Sequence, residues 1–432
     1  MTGALLFVLF VVLMLAGVPI GVALGIGGAA AIALANLDVP SFGLLAVPQN
    51  FYASLTKYPL LALPMFVLVG SIFDRSGIAQ RLVNFAIAVL GRGPGMLPVV
   101  AILVAMFLGG ISGSGPANAA AVGGVMIAAM ARAGYPAPFS ASVIGGAAAT
   151  DILIPPSIAL IVYSVMMPGA SVPALFAAGL VPGVLAGLAL IIPAIWLSRR
   201  HGLGQLESSL PRPPLWPSFV EAIWGLSAPV LILGGMRLGW FTPTEAAAVA
   251  VAYGLFVGMV VHRTIRVRDL LTIFREAAEI SGVILMIIGL ASIFAYALNT
   301  LSIIDPITQA ILATGLGSTG TLLCLVALLL IVGMFLDGVS IFLIFVPLVA
   351  PLMRAFNWDP VWFGILLTMM VAVGQFTPPM AVNLMVSCKM AGVSIEQTFP
   401  WVWWLVVGML LALLAVLVFP PLALWLPQSL GY

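Results

Sequence analysis

The sequence predicts an all-α polytopic membrane protein made of two inverted-topology repeats. Each repeat holds a re-entrant helical hairpin and a discontinuous transmembrane helix. Three observations carry this. The 432-residue chain is 63% hydrophobic and 6% charged, where a soluble protein carries about 25% charged residues. Its apolar runs do not alternate in ten-residue segments as barrel strands do, so the spans are helices, which satisfy their own backbone in lipid. A shift of 223 residues then lays helix breaker on helix breaker without a gap from 110 to 176: Gly110 on Gly333, Gly115 on Gly338, Pro155-Pro156 on Pro378-Pro379, Gly169 on Gly392. Paired apolar segments interrupted by glycine and proline in two halves of a chain are the sequence sign of a secondary transporter's binding site.

A span needs roughly 17–25 apolar residues. In the first half these fall at 3–16, 19–35 and 59–74, in a broken span at 137–168 and at 173–198. In the second half they fall at 219–238, 243–262 and 280–299, in a broken span at 360–391 and at 401–419. Two further apolar runs, 95–132 and 319–356, bend midway at glycines and polar residues. They are re-entrant hairpins, or alternatively two short crossings each. The first repeat thus covers 1–198 and the second 219–432, joined by the polar linker 199–218. With that linker in the cytoplasm, twelve of the fifteen lysines and arginines, Arg92 among them, face inward, and only Lys57, Arg237 and Arg354 face outward. Basic short loops stay cytoplasmic, so the bias supports this topology. Five crossings per half invert the second copy relative to the first and place both termini outside the cytoplasm.

The remaining segments are read more briefly. Residues 41–58 and 263–278 hold equivalent places in the repeats. The second is amphipathic, and is either an arm along the membrane interface or a plain connecting helix. Trp401, Trp403 and Trp404 open the last span as an interfacial belt. Residues 1–16 lack the basic region of a cleavable signal peptide. Cys324 and Cys388 lie in apolar runs, as packing thiols do, and no disulfide is expected. A net charge of +2 gives no case for a nucleic-acid partner.

Four interruptions carry the polar residues. The first hairpin turns at Gly109–Asn118 (GGISGSGPAN). Glycine allows the tight turn, and Pro116 suits the first turn of the returning half-helix. The N–H groups there, with Ser112, Ser114 and Asn118, make a site for a carboxylate or for ion ligands. The second hairpin turns at Asp337-Gly338-Val339-Ser340, with Asp337 aligned on Ser114. A carboxylate at membrane depth marks a functional site by default; Asp337 either caps the following half-helix or helps to hold a cation.

The broken spans run through Thr150–Ser157 and Gly374–Met380. Adjacent prolines remove two donors and clash with the preceding turn, which frees carbonyls around 150–154 and 373–377. Such groups persist in a membrane only against protein or a wet cavity, where they are hard oxygen ligands of the kind that hold Na⁺. A proline kink without a ligand is the competing reading. Asp151 either binds a cation or pairs with an arginine. Asn383 reads as a polar link between helices. His201 and His262 fall at cytoplasmic edges, and no HExxH or Walker A motif occurs, so nothing points to an enzyme.

GGISGSGPANAAAVG (109–123), ILIPPSIALIVY (152–163), FTPTEAAAVAVAYG (241–254), GMFLDGVSIFLIFVPLVAPLM (333–353) and FTPPMAVNLMVS (376–387) resemble, in order and across essentially the whole chain, one family. It is the large membrane subunit (DctM-like) of TRAP transporters, the tripartite ATP-independent periplasmic systems of the ion-transporter superfamily. The resemblance implies an elevator-type importer with a scaffold and a mobile transport domain that carries the hairpins. It implies no cofactor, Na⁺ as coupling ion, and a multi-pass place in the bacterial or archaeal cytoplasmic (inner) membrane. The implied partners are a small four-helix membrane subunit (DctQ-like), a periplasmic substrate-binding protein (DctP-like) and the lipid bilayer. The implied solute is a small organic acid of the C4-dicarboxylate, sialic acid, keto acid or sugar acid class.

Carried over by motif, the resemblance places substrate against Ser112, Gly113, Ser114, Asn118, Asp151, Ser157 and Gln375. It places Na⁺ against Ser112, Ser114, Thr150, Ile154 and Pro156 in one region, and Asp337, Gly338, Ser340, Gly374, Thr377 and Pro379 in the other. Asp151 departs from the small residue usual there: it either repels a second carboxylate or attracts a less acidic or cationic solute. The alternative is a stand-alone ion-coupled exchanger or channel of similar fold, without a binding protein.

Overall fold

The computed structural model describes residues 2–36, 40–91, 93–209 and 211–432; Arg92, counted above among the inward-facing arginines, lies outside the described residues. The described residues form α-helices joined by short turns, with no strand among them. The first half runs α1 (Thr2–Leu15), α2 (Ile20–Ala35), α3 (Pro40–Leu55), α4 (Ala62–Arg75), α5 (Ile78–Leu90), α6 (Met96–Ser112), α7 (Gly115–Arg132), α8 (Ala137–Ala149), α9 (Ile158–Met166) and α10 (Val172–Arg200). The second runs α11 (Leu215–Arg237), α12 (Pro243–Phe256), α13 (Val267–Thr300), α14 (Ile304–Ala313), α15 (Gly317–Gly333), α16 (Gly338–Phe356), α17 (Pro360–Gly374), α18 (Val382–Ala391), α19 (Ile395–Val418) and α20 (Pro421–Ser429).

The 223-residue shift reaches beyond the window in which side chains match. It carries α2 onto α12, α5 onto α14, and α6 through α9 onto α15 through α18. One pair of equivalents differs. In the first half Pro59 interrupts the chain between α3 and α4, whereas no proline falls between Val267 and Thr300, and α13 runs on unbroken. Residues 263–278 are therefore neither a separate arm nor a connector, because most of them form the first turns of a long spanning helix. The shift also exposes two helices that the span reading passed over, α5 and α14. The first carries Gln80, Arg81 and Asn84, and the second has only ten residues.

The equivalent segments α3–α4 and α13 lie antiparallel. Near one end Arg75 bonds Glu276 at 2.5 Å. Further along, the Ser292 hydroxyl donates to the Asn50 carbonyl at 3.1 Å, so one chain descends as the other ascends, as inverted copies must. Small residues let these helices approach. On α2, a Cβ added at Gly28 would lie 2.8 Å from the Phe294 backbone. In the mirrored contact of α12 with α4, the Tyr253 ring stacks on Phe73. The repeats also interlock, since α7 packs on α18 and α16 on α9. The returning helix of each hairpin thus leans on the broken helix of the other repeat.

The linker is pinned to the base of the first hairpin. Glu207 is buried and accepts hydrogen bonds from the Leu97 N–H (2.8 Å) and the Tyr135 hydroxyl (2.7 Å). Tyr135 in turn accepts from the Gly95 N–H. This carboxyl therefore supplies a partner for a first-turn donor of α6 that the helix leaves orphaned. Burial pushes the Glu207 carboxyl above the usual range. The folded chain then holds this proton more tightly than the unfolded one, so stability is lost as pH rises from the ordinary carboxylate range through the raised value. Glu207→Ala is expected to lower stability by about 1–3 kcal/mol through unpaired buried donors and to flatten that fall with pH. Thermal unfolding of both proteins between about pH 5 and 8 checks it; superimposable curves would leave Glu207 without a role in the anchor.

Candidate functional site

The two hairpin tips and the two helix breaks meet. Between α6 and α7 the chain turns through Gly113, in the left-handed region at φ 60°, and the extended Ser114. The turn reverses the chain, because Asn118 of α7 donates to the Ala105 carbonyl of α6 at 2.8 Å; residues 95–132 are a hairpin. A Cβ at Gly113 would stand 3.0 Å from the Pro156 carbonyl oxygen, and one at Gly115 would stand 2.7 Å from the Asn383 amide. The first tip is thus wedged between the break of its own repeat and the start of α18. The second tip, Met334–Asp337, lies on the second break: a Cβ at Gly338 would reach the Val371 side chain at 2.9 Å, and one at Gly374 would overlap the Gly333 carbonyl. The Pro155-Pro156 and Pro378-Pro379 peptide bonds are cis.

A cavity of about 270 Å³ lies between the tips. Ser112, Gly113, Ser114, Asp337, Gly338 and Gln375 line it, closed on the far side by Gly70, Ser71 and Asp74 of α4 and Ile280 and Ile284 of α13. The other predicted residues stand behind this surface. Thr150 donates to the Ala147 carbonyl at 2.7 Å, completing the end of α8. Ser157 caps α9, accepting from the Leu160 N–H and donating to the Ile152 carbonyl at 2.6 Å. Asp337 caps α16, accepting from the Ser340 N–H at 3.1 Å and from the Ser340 hydroxyl. Thr377 donates to the Val373 carbonyl. Ile154, Pro156 and Pro379 lie in the breaks themselves.

The expectation that the breaks free carbonyls around 150–154 and 373–377 holds for some of them and is corrected for the rest. Turns within the breaks occupy those of Thr150 and Gly374, the Asn383 N–H of α18 occupies that of Gln375, and hydroxyls occupy those of Ile152 and Val373. Local donors reach around the prolines wherever a serine, threonine or free amide is near. Among the described residues, no hydrogen bond reaches the carbonyls of Asp151, Leu153, Ile154, Phe376 or Thr377.

Asp151 aligns with Gly374 in the repeat. Gly109 makes its room, since a Cβ there would lie 2.8 Å from the Asp151 Cα. Asp151 is buried and accepts from the Ser112 hydroxyl at 3.4 Å, its Oδ1 takes no partner, and no arginine among the described residues pairs with it. Asn383 forms the expected link: its amide donates to Gln375 Oε1 at 3.1 Å, and its N–H donates to the Gln375 carbonyl at 3.0 Å. Its own Oδ1 is unpartnered, as is that of Asn118. Asp74 was missed by the sequence reading. A carboxylate inside the apolar run 59–74 was the available signal, but it lies outside the glycine and proline pattern that guided attention. The lining contains Asp74 and Asp337 and no lysine or arginine. Positive potential comes from the N-terminal ends of α7 and α16, and a cation would meet hard oxygen acceptors.

A family model described as the tripartite ATP-independent periplasmic transporter, DctM component, matches residues 7–422. The chain is 38% identical over 415 residues to the C4-dicarboxylate TRAP transporter large permease protein DctM of Pseudomonas aeruginosa, covering 94% of each. It is 34% identical over 417 residues to the 2,3-diketo-L-gulonate TRAP transporter large permease protein YiaN of Escherichia coli, covering 95% of each. With the isethionate TRAP transporter permease protein DctMQ of Oleidesulfovibrio alaskensis it shares 36% identity over 420 residues; the match takes in 97% of this chain but only 65% of that protein. Among solved structures, the YdaH transporter of Alcanivorax borkumensis matches with a TM-score of 0.61 over 89% of this chain and 91% of that one, at 13% identity. At that identity the likeness is one of fold.

Proposed function

This chain belongs to the DctM family, the large permease component of tripartite ATP-independent periplasmic transporters, and from that premise we propose that it imports a small organic acid across the bacterial inner membrane, driven by Na⁺. A small membrane subunit completes the scaffold, and a periplasmic binding protein delivers the solute. One observation carries the reading: two hairpin tips and two broken helices from opposite repeats border a single cavity of about 270 Å³. The N-terminal ends of α7 and α16 offer N–H groups and positive dipole ends to a carboxylate. Unbonded carbonyls at the breaks, with the free oxygens of Asp151, Asn118 and Asn383, suit Na⁺ beside it. Gly70 lets α4 close on the first tip, because a Cβ there would come within 3.2 Å of the Ser112 carbonyl oxygen. The organic acid class follows the relatives, named for C4-dicarboxylate and 2,3-diketo-L-gulonate.

The test is uptake into proteoliposomes holding the chain and its small subunit, with the binding protein carrying an acid found by thermal-shift screening. Uptake should require both an inward Na⁺ gradient and the binding protein. Uptake indifferent to Na⁺ defeats the coupling, and uptake without the binding protein favours a stand-alone exchanger. Ser114→Ala should weaken apparent Na⁺ affinity by about 3- to 10-fold, the order expected for one lost polar contact of about 1 kcal/mol. An unchanged Na⁺ titration removes Ser114 from the ion region.

A further inference from the structure

A larger cavity, about 990 Å³, opens between α3, the C-terminal ends of α9 and α16, the start of α17 and residues 288–299 of α13. The tip cavity meets α13 at 280 and 284 and the larger one meets it from 288 to 299, so at 1.5 Å per residue the larger one begins about 6 Å further along the helix and runs on for about 16 Å. Because α13 begins at the end bearing Arg266, Arg268 and Arg275, the cytoplasmic end by charge bias, this vestibule faces the opposite side. Two of the three basic residues assigned to that side, Lys57 and Arg354, line it. Among the described residues neither pairs with a carboxylate. The acid in the wall, Asp359, is engaged as the cap of α17, accepting from the N–H groups of Val361 and Trp362. The two cavities are thus opposite in sign: cationic side chains at the outer one, carboxylates at the inner one.

Lys57 lies in the link between α3 and α4, and its ammonium donates to the Val165 carbonyl at 2.8 Å. Val165 sits in the last turn of α9, the second half of the first broken helix, where the dipole is negative. One hydrogen bond therefore ties the α3–α4 link to the body that carries the tip cavity.

We propose that the vestibule is a first binding site for the arriving organic acid, in which Lys57 and Arg354 together hold one carboxylate and Lys57 leaves the Val165 carbonyl to do so. The exchange is favourable because a carboxylate brings a full opposite charge to the ammonium, and with it a Coulomb attraction that a neutral carbonyl lacks. Arrival of the anion and release of the tie are then the same event, so the broken helix is freed when solute is present. The inference rests on the acid-import reading and adds an outer site to it.

Lys57 and Lys389 are the chain's two lysines, which makes amine labelling specific. Partial burial pushes the Lys57 amine below the usual lysine value, favouring its reaction with an aldehyde. The complex with its small subunit, in nanodiscs, is treated with pyridoxal 5′-phosphate and borohydride and read by mass spectrometry. Succinate should protect Lys57 but not Lys389, and succinamide, uncharged and of similar shape, should not protect either. Added salt should weaken the protection. Arg354 is exposed and its side chain makes no hydrogen bond among the described residues, so Arg354→Gln should fold normally while raising the succinate needed for half-protection about tenfold, equivalent to 1.4 kcal/mol. Equal protection by succinate and succinamide, or an unchanged midpoint in Arg354→Gln, overturns the vestibule site. That failure is distinguishable from failure of acid import, which shows instead as absent Na⁺-driven uptake by the unmodified complex.

Discussion

Replacing Gly374 with alanine is expected to abolish Na⁺-driven uptake and to lower thermal stability. The new methyl group would overlap the Gly333 carbonyl and lie 2.7 Å from the Gly333 Cα. Those atoms are backbone at the end of α15, so no rotamer change relieves the contact. Overpacking of a close-packed site costs about 1–3 kcal/mol or more, and here the strain falls on the joint between the second hairpin and the second broken helix. Gly282→Ala is the matched control. Gly282 is exposed within α13 and has open space where its Cβ would go, so alanine should be neutral or stabilising by up to about 1 kcal/mol. Melting temperature and uptake measured on both decide the matter. A Gly374→Ala protein that behaves like Gly282→Ala would falsify the backbone contact at the second tip.

Asp337 offers the second large effect, and two substitutions separate its roles. It caps α16 through the Ser340 N–H while its side chain also lines the tip cavity. Asparagine caps helices about as well as aspartate but carries no charge. Asp337→Asn should therefore keep wild-type stability and lose about tenfold or more in apparent Na⁺ affinity, on the order of 1.4 kcal/mol. Asp337→Ala should lose the same affinity and in addition about 1 kcal/mol of stability with the cap. Matching Na⁺ titrations for the wild type and both variants would assign Asp337 to capping alone.

Much of this site was legible in advance, for a local reason. Gly113, held in the left-handed region, and the two Pro-Pro pairs interrupt a helix by their own backbone chemistry, so their positions announce the first tip and both breaks wherever the rest of the chain lies. The misreadings were also local. Pro59 divides α3 from α4, but its repeat equivalent, Gly282, is tolerated inside a helix, so α13 runs through a place where a boundary was expected. The freed carbonyls were overestimated because Ser157, Thr377 and the Asn383 amide fold back to occupy several of them. Asp74 went unseen because its importance depends on a cavity wall, and a carboxylate near a helix end looks the same in sequence whether it meets water or a neighbouring hairpin.

The sequence by itself determined that the chain lies in lipid, where its hairpin tips and helix breaks fall, and that two copies oppose each other. Each of those follows from composition or from backbone chemistry within a few residues. Only the tertiary structure decided which oxygens remain available and which side chains face a shared space. Those outcomes depend on contacts between distant residues: Gly115 against Asn383, Gly113 against Pro156, Lys57 on Val165, Glu207 under the first hairpin. A hydrogen-bond acceptor is free only if nothing else in the folded chain reaches it.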